Sequence, residues 1–294
     1  MSSLGNERAS VQNPLIQYAT QVGWEQISQV EAERLRGGKS GLVFREVFSS
    51  QIAKLNGFLA PVMIADKLKE LERLPARKEG NLQAWEYLKG LRTVFLPNEK
   101  RERNVKIIDE KAQNNVYQVT DEFIFTNGTK TNRYDVVFLI NGVPVFLVET
   151  KAVAKFLGRN VDRESIVASA LDQIRRYHRE TPEDMTLLQV FTATNIINFL
   201  YAATWSLEAK SVFNWKTESA TKTFEDSVKS FFDPQRITDM LLNFILFTRQ
   251  DDELIKVILR HTRCEQLTAS WKELGVRRSG VLFGIRRAAA KPTP

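Results

Sequence analysis

Asp135, Glu149 and Lys151 are the residues of this chain whose types and spacing could do chemistry. Residues 133–152 read RYDVVFLINGVPVFLVETKA: Asp135 starts one apolar run, Asn141-Gly142 breaks it, and Glu149-Thr150-Lys151 closes a second. Charges at the ends of such runs are costly to bury without partners. A hard divalent cation held by the two acids, with the lysine beside a water, would compensate them. As a bare pattern an acid followed by E-x-K is weak, and surface charges at strand ends would account for it. Their position inside near-continuous apolar strands favours the functional reading.

Side chains alternate along a strand, so Glu149 and Lys151 share a face and Thr150 points the other way. Asn-Gly between two β-rich runs predicts a hairpin. A strict two-residue turn would pair Ile140 with Val143 and set Asp135 opposite Val148, the wrong parity for Glu149. The expectation is a three-residue bulged turn with Gly142 left-handed, which makes Asp135 and Glu149 near neighbours on one face. Pro144, lacking an N–H, suits a bulge or an edge.

Residues 7–36 look helical at both ends, with Gly23-Trp24 marking a turn between them, and residues 42–75 read as two helices separated by Pro61. Lys78-Glu79-Gly80-Asn81 reads as an exposed loop. Strands are predicted at 105–109, 116–120, 122–127, 134–140 and 143–149, all rich in β-branched and aromatic residues. A helix over 162–180, with Asp162 as N-cap, precedes a buried strand at 186–195 and one or two more over 199–216. Residues 223–260 read as helical, with Pro234 between two pieces. The order describes an α/β protein with a mixed β-sheet flanked by helices: a helical segment over residues 1–100, a core over 103–216 and a second helical segment over 223–260.

The 294 residues, 43% hydrophobic and 26% charged, suffice for one large domain or two small ones. Cys264 is the only cysteine and His178 and His261 the only histidines, so any metal must rely on oxygen ligands. No long apolar run and no secretory signal is visible, so no membrane partner and a cytoplasmic location are expected. The net charge of +7 points only weakly to nucleic acid: after Arg260 seven basic residues face Glu265 and Glu273, a net +5, which leaves +2 for residues 1–260.

Gln173 and Tyr177 lie four apart on the predicted helix and share a face. Alone they read as the border of an amphipathic helix; beside the hairpin they could order the site or touch a DNA phosphate. Arg175 and Arg176 could reach backbone phosphates, though solvated charges at a helix end explain them as well. His178 is more often a packing residue than a base. Trp205 and Trp215 could stack on bases, but aromatic residues in strands usually mean core.

Asp135, Glu149-Thr150-Lys151 and Gln173-x-x-x-Tyr177 resemble the PD-(D/E)XK nuclease superfamily in its RecB-like branch. The wording of 133–152, with Glu7, Pro14-Leu15-Ile16 and Gly23-Trp24, resembles the N-terminal nuclease domain of the restriction (motor) subunit of type I restriction-modification enzymes, over about residues 5–260. One departure is Tyr134, where the family pattern has proline before the first acid. The resemblance implies a Mg2+-dependent double-strand DNA endonuclease with a restriction-endonuclease-like core. It implies Asp135 and Glu149 as metal ligands with the Thr150 main-chain carbonyl, Glu7 as an accessory acid, Lys151 beside the attacking water, and Gln173 and Tyr177 in DNA engagement or site order. Its partners would be modification and specificity subunits. The same site would also serve a DNA-repair nuclease, and the fold a non-catalytic DNA-binding or assembly module.

Members of that family continue into an ATP-driven translocase that begins with a Gly-rich phosphate loop, and no G-x-x-x-x-G-K-[ST] occurs in this sequence. The genetic code lets GVLFGIRRAAAKPT (280–293) share a message with an out-of-frame WHPQGSGKTY, which resembles that loop. The expectation is an endonuclease domain over 1–260 and a frameshifted translocase remnant over 261–294, without ATP hydrolysis. The coding DNA decides it.

Overall fold

A computed structural model describes residues 7–151, 163–218 and 220–261. The chain opens with a π-helical turn (Arg8–Gln12) that runs into α1 (Asn13–Thr20). The short strand β1 (Glu25–Gln26) and helices α2 (Gln29–Arg36), α3 (Arg45–Leu55), α4 (Pro61–Glu72) and α5 (Lys78–Leu88) follow. A small hairpin, β2 (Thr93–Leu96) and β3 (Arg101–Asn104), leads to three long strands, β4 (Tyr117–Thr126), β5 (Thr131–Ile140) and β6 (Val143–Thr150). Next come α6 (Arg163–Glu180), α7 (Pro182–Leu187), β7 (Val190–Thr194), β8 (Phe199–Ala203) and β9 (Phe213–Asn214). Helices α8 (Trp215–Glu218), α9 (Phe224–Phe231) and α10 (Pro234–Asn243) precede a last hairpin, β10 (Ile245–Gln250) and β11 (Glu253–Ile258).

Seven strands form one mixed sheet in the order β1-β4-β5-β6-β7-β8-β9. β4, β5 and β6 are antiparallel, whereas β7 returns through α6 to lie parallel to β6, as a crossover helix requires. Along β6, Phe146 meets Phe231 and Phe232. Glu149, of opposite parity, meets Tyr177 of α6. The sheet is therefore buried on both faces, which is why β5 and β6 are apolar nearly throughout. On the first face Trp24 stands edge-on to Phe138 at 4.7 Å, and Phe138 stacks on Phe232 at 3.9 Å.

The turn between β5 and β6 corrects the expectation of a three-residue loop. Asn141 (φ 51°) and Gly142 (φ 80°) form a two-residue turn with Ile140 opposite Val143. Leu139 then faces Pro144 while Phe138 faces Phe146, so Val145 is the extra residue of a bulge inside β6. Pro144 has no N–H to give the ladder, so the bulge beside it costs little pairing. Left-handed geometry at Asn141 is secured by its side chain, which accepts from Val116 N–H at 2.7 Å and donates to the Ile107 carbonyl at 2.7 Å. Gly142 is required sterically, because a Cβ there would lie 2.6 Å from the Phe44 carbonyl oxygen.

Other expectations also differ from the structure. Residues 78–81 begin α5 rather than forming an exposed loop: Asn81 is buried and donates to the Met185, Thr186 and Leu188 carbonyls. Residues 105–109 form no strand, although Val105, Ile107 and Ile108 are buried, so their apolar character reflects packing rather than pairing. The strand expected at 186–195 begins only at Val190, after α7. Residues 245–258 form a hairpin rather than a helix, turning on Asp251 and Asp252, both at positive φ. The expected Asp162 N-cap and nearly all of the expected remnant (262–294) lie outside the described residues. No described helix is long and apolar enough to cross a membrane.

Candidate active site

The Val145 bulge restores the parity that the acids need. Val136 faces Val148, and one step further along the same register Asp135 lies across from Glu149. On its other side, Asp135 falls at a gap in the β4–β5 ladder, between the pairs Asp121–Val136 and Phe123–Tyr134. The residue of β4 at that gap, Glu122, has φ 50°, a conformation that non-glycine residues adopt at a cost. The irregularity also disturbs alternation along β5. Phe138 packs toward Trp24 and Phe232, whereas Tyr134, four residues earlier, packs at 4.4 Å on Tyr177 of α6. Asp135 therefore sits where the strand changes face, and its carboxylate reaches around the end of the β5–β6 pairing.

Each acid has one oxygen held by the protein. Asp135 Oδ2 accepts from the Thr150 N–H at 2.7 Å and from the Thr150 hydroxyl at 2.8 Å. Glu149 Oε1 accepts from the Tyr177 hydroxyl at 2.7 Å, which itself accepts from Gln173 Nε2 at 2.7 Å. Of the other two oxygens, Asp135 Oδ1 makes no hydrogen bond among the described residues and Glu149 Oε2 pairs with Lys151 Nζ at 3.6 Å. The structure thus brings together Asp135, Glu149, Thr150, Lys151, Gln173 and Tyr177.

Burial dominates the electrostatics. Glu149 is buried, and desolvation together with the Asp135 charge pushes its pKa up to about 8, against Lys151 and the Tyr177 hydroxyl. Asp135 is raised by burial too, an effect opposed by the two Thr150 donors and by Lys151 and reinforced by Glu7. Tyr177 is raised by burial and by Glu149, so it stays a protonated donor. Two buried carboxylates, Glu149 raised by the charge of Asp135, form a donor set suited to a hard divalent cation. Among the described residues no three His, Cys, Asp or Glu side chains gather about one point. Two carboxylates and water fit Mg2+, which keeps much of its hydration shell.

Glu7, expected as an accessory acid, stands close enough to the site for its charge to raise the Asp135 pKa. Its Oε1 accepts from the Thr150 hydroxyl at 3.1 Å. Thr150 contributes more than the carbonyl expected of it: its hydroxyl joins Asp135, Glu7 and Gln12, whose Nε2 lies 3.1 Å away. Gln12 is absent from the residues expected at the site, yet the sequence carries a signal for it: it stands at i beside Leu15, Ile16 and Ala19, a polar residue within a buried stripe. Arg175 pairs with Asp172 at 3.0 Å and donates to the Leu207 carbonyl, and Arg176 lies 3.9 Å from Glu180; both flank the Tyr177 end of α6. His178 packs on Trp205 and bonds the Thr204 carbonyl, and burial lowers its pKa to about 4, so it is neutral and structural. Trp215 is fully buried, which removes it as a stacking platform, and half-buried Trp205 donates to the Met185 carbonyl at 2.8 Å.

Residues 5–209 match the family described as the type I restriction enzyme R protein N terminus. A Methanocaldococcus jannaschii protein carrying the provisional name type I restriction enzyme MjaVIIIP endonuclease subunit is 24% identical over 81% of this chain and 23% of its own length. The type I restriction enzyme EcoprrI endonuclease subunit of Escherichia coli is 28% identical over 55% of this chain and 51% of its own. The Staphylococcus aureus type I restriction enzyme SauCOLORF180P endonuclease subunit is 25% identical over 82% of this chain and 24% of its own. The chain therefore spans between about a quarter and a half of these relatives' lengths. The α/β fold with its mixed seven-stranded sheet agrees with a PD-(D/E)XK nuclease core. The chain belongs to the family of type I restriction enzyme R protein N-terminal domains.

Proposed function

We propose that this chain is a Mg2+-dependent endonuclease domain that hydrolyses phosphodiester bonds of double-stranded DNA. The observation that carries the reading is the division of labour within the acids: Asp135 Oδ2 and Glu149 Oε1 are anchored by Thr150 and Tyr177, while Asp135 Oδ1 accepts no hydrogen bond among the described residues and Glu149 Oε2 faces the Lys151 ammonium. Asp135 and Glu149, with the Thr150 carbonyl, would hold the cation. Bound there, Mg2+ would act as a Lewis acid on a phosphate oxygen and lower the pKa of a water. Lys151, 3.6 Å from Glu149, would orient the attacking water and offset negative charge developing on the phosphate. Tyr177 and Gln173 hold Glu149 in place from α6. Arg175 and Arg176 border that end of the helix and would meet the DNA backbone.

In the assembled enzyme, modification and specificity subunits would supply methylation and sequence recognition, and the translocase of a full-length subunit would use ATP. The test is cleavage of supercoiled plasmid with Mg2+, with Asp135→Ala and Lys151→Ala beside the parent chain. We expect nicking or linearisation that requires Mg2+ and falls by at least about 100-fold in both variants. Undiminished activity in both would remove the site assignment. A folded parent chain that binds DNA without cutting it would favour a non-catalytic module.

A further inference from the structure

The helix that enters the site does so through an irregularity. Residues three or four apart share a face of an α-helix. Glu7 and Gln12 are five apart, yet both side chains meet the Thr150 hydroxyl. The π-helical turn between them, closed by the Asn13 N–H on the Arg8 carbonyl, provides that alignment. Arg8 ties the same turn to β4 through Asp121 at 2.6 Å.

A hydroxyl has one proton and can also accept. The Thr150 hydroxyl has two carboxylate oxygens within reach, Asp135 Oδ2 at 2.8 Å and Glu7 Oε1 at 3.1 Å, and one amide donor, Gln12 Nε2 at 3.1 Å. Because Gln12 occupies the accepting side, the Thr150 proton is directed to the carboxylates. Gln12 is 3% exposed, and its amide oxygen has no hydrogen-bond partner among the described residues. A buried acceptor left unsatisfied destabilises the fold. That cost is recovered if a water enters with a cation, because the acceptor then receives a hydrogen bond.

We infer that Gln12 is a positioning residue for the cation site, acting through the Thr150 hydroxyl on Asp135, with its amide oxygen as the acceptor for a cation-borne water. The inference rests on the cation reading of Asp135 and Glu149. Its test is Mn2+ affinity of the full chain, read by electron paramagnetic resonance of the free ion, so that no cleavage is needed. Gln12→Leu and Thr150→Val should each weaken binding about tenfold, in the range typical of groups that orient metal ligands. Their combination should lose no more than about the larger single effect, and Thr150→Ser should stay near the parent.

Gln12→Met provides a second variant of similar shape. Without metal it should melt no lower than the parent, since it removes an unsatisfied acceptor, yet its melting point should rise less on adding Mn2+. Parent-like Mn2+ binding by Gln12→Leu and Gln12→Met, alongside loss in Asp135→Asn, would overturn the role of Gln12 and leave the cation site standing. Independent, additive losses would overturn the coupling through Thr150. A parent chain that binds no Mn2+, or an Asp135→Asn variant that binds it equally well, would bring down the cation reading and this inference together.

Discussion

Glu149 is enclosed on all sides with a second carboxylate nearby, and its proton affinity in the folded chain exceeds that in the unfolded chain, with a pKa of about 8 against 4.5. Between those values the folded state holds more protons, so stability falls as pH rises. In metal-free buffer the melting temperature should therefore decline from about pH 4.5 to about pH 8, and Glu149→Gln should flatten that decline. An unchanged slope in the variant would show that the carboxylate is not desolvated as described. Tyr177→Phe leaves Glu149 Oε1 without its donor. It should extend the same decline to higher pH and reduce cleavage about tenfold, the scale of one hydrogen bond to a charged group; equal pH profiles for Tyr177→Phe and the parent would deny the contact. The two acids and the lysine are readable in the sequence because charges interrupt otherwise apolar strands. Gln12 shows in the sequence only as a polar residue within a buried stripe; its contact with the Thr150 hydroxyl does not, because that depends on a π turn meeting a strand about 140 residues away.

The elements that support the site are legible where local chemistry is decisive. Asn141-Gly142 announces a hairpin, and Pro61 and Pro234 each stand at the first turn of a helix. Parity demands one extra residue between the two acids, but spacing alone cannot separate a longer turn from an insertion in the strand, so the bulge lies at Val145 and not at the expected Gly142. The β10–β11 hairpin is hidden for another reason. Its Asp251-Asp252 turn lacks glycine, and the apolar residues around it also suit a helix. What docks this hairpin is Lys256, buried, whose ammonium donates to Asn81 Oδ1 at 2.7 Å, to the Gln189 carbonyl and side-chain oxygens at 2.8 Å, and meets Thr204 Oγ1 at 3.3 Å. Lys256→Met would spare the desolvation of an ammonium but strand those acceptors in the interior. We expect a net loss of about 3 kcal/mol, read as a lower urea midpoint. A midpoint at or above the parent's would mean that the network contributes nothing to docking. Gly142→Ala should cost a similar amount through strain and its clash with Phe44, with the melting temperature as the readout.

Charge is distributed unevenly over the whole molecule. Residues 1–260 carry a net +2 and the remainder +5, so most of the net positive charge that would attract DNA under the proposed function lies after residue 260. Replacing Arg277, Arg278, Arg286 and Arg287 with glutamine should flatten the dependence of DNA affinity on salt while leaving cleavage at saturating DNA unchanged. A salt slope that does not move would place the phosphate contacts within residues 1–260. The overall architecture can be read from the order of apolar periodicities, helices first, then paired strands, then a crossover helix returning to a parallel strand. The convergence of β5, β6 and α6 on two acids follows from that topology, and the proposed cation would lie between those two acids. Crystals soaked in Mn2+ and measured at its absorption edge examine that assignment most directly. The account predicts one anomalous peak bonded to both Asp135 Oδ1 and Glu149 Oε2 at about 2.0–2.3 Å, with Lys151 beside it. Mn2+ bound elsewhere, or no peak between these carboxylates at saturating metal, would contradict it.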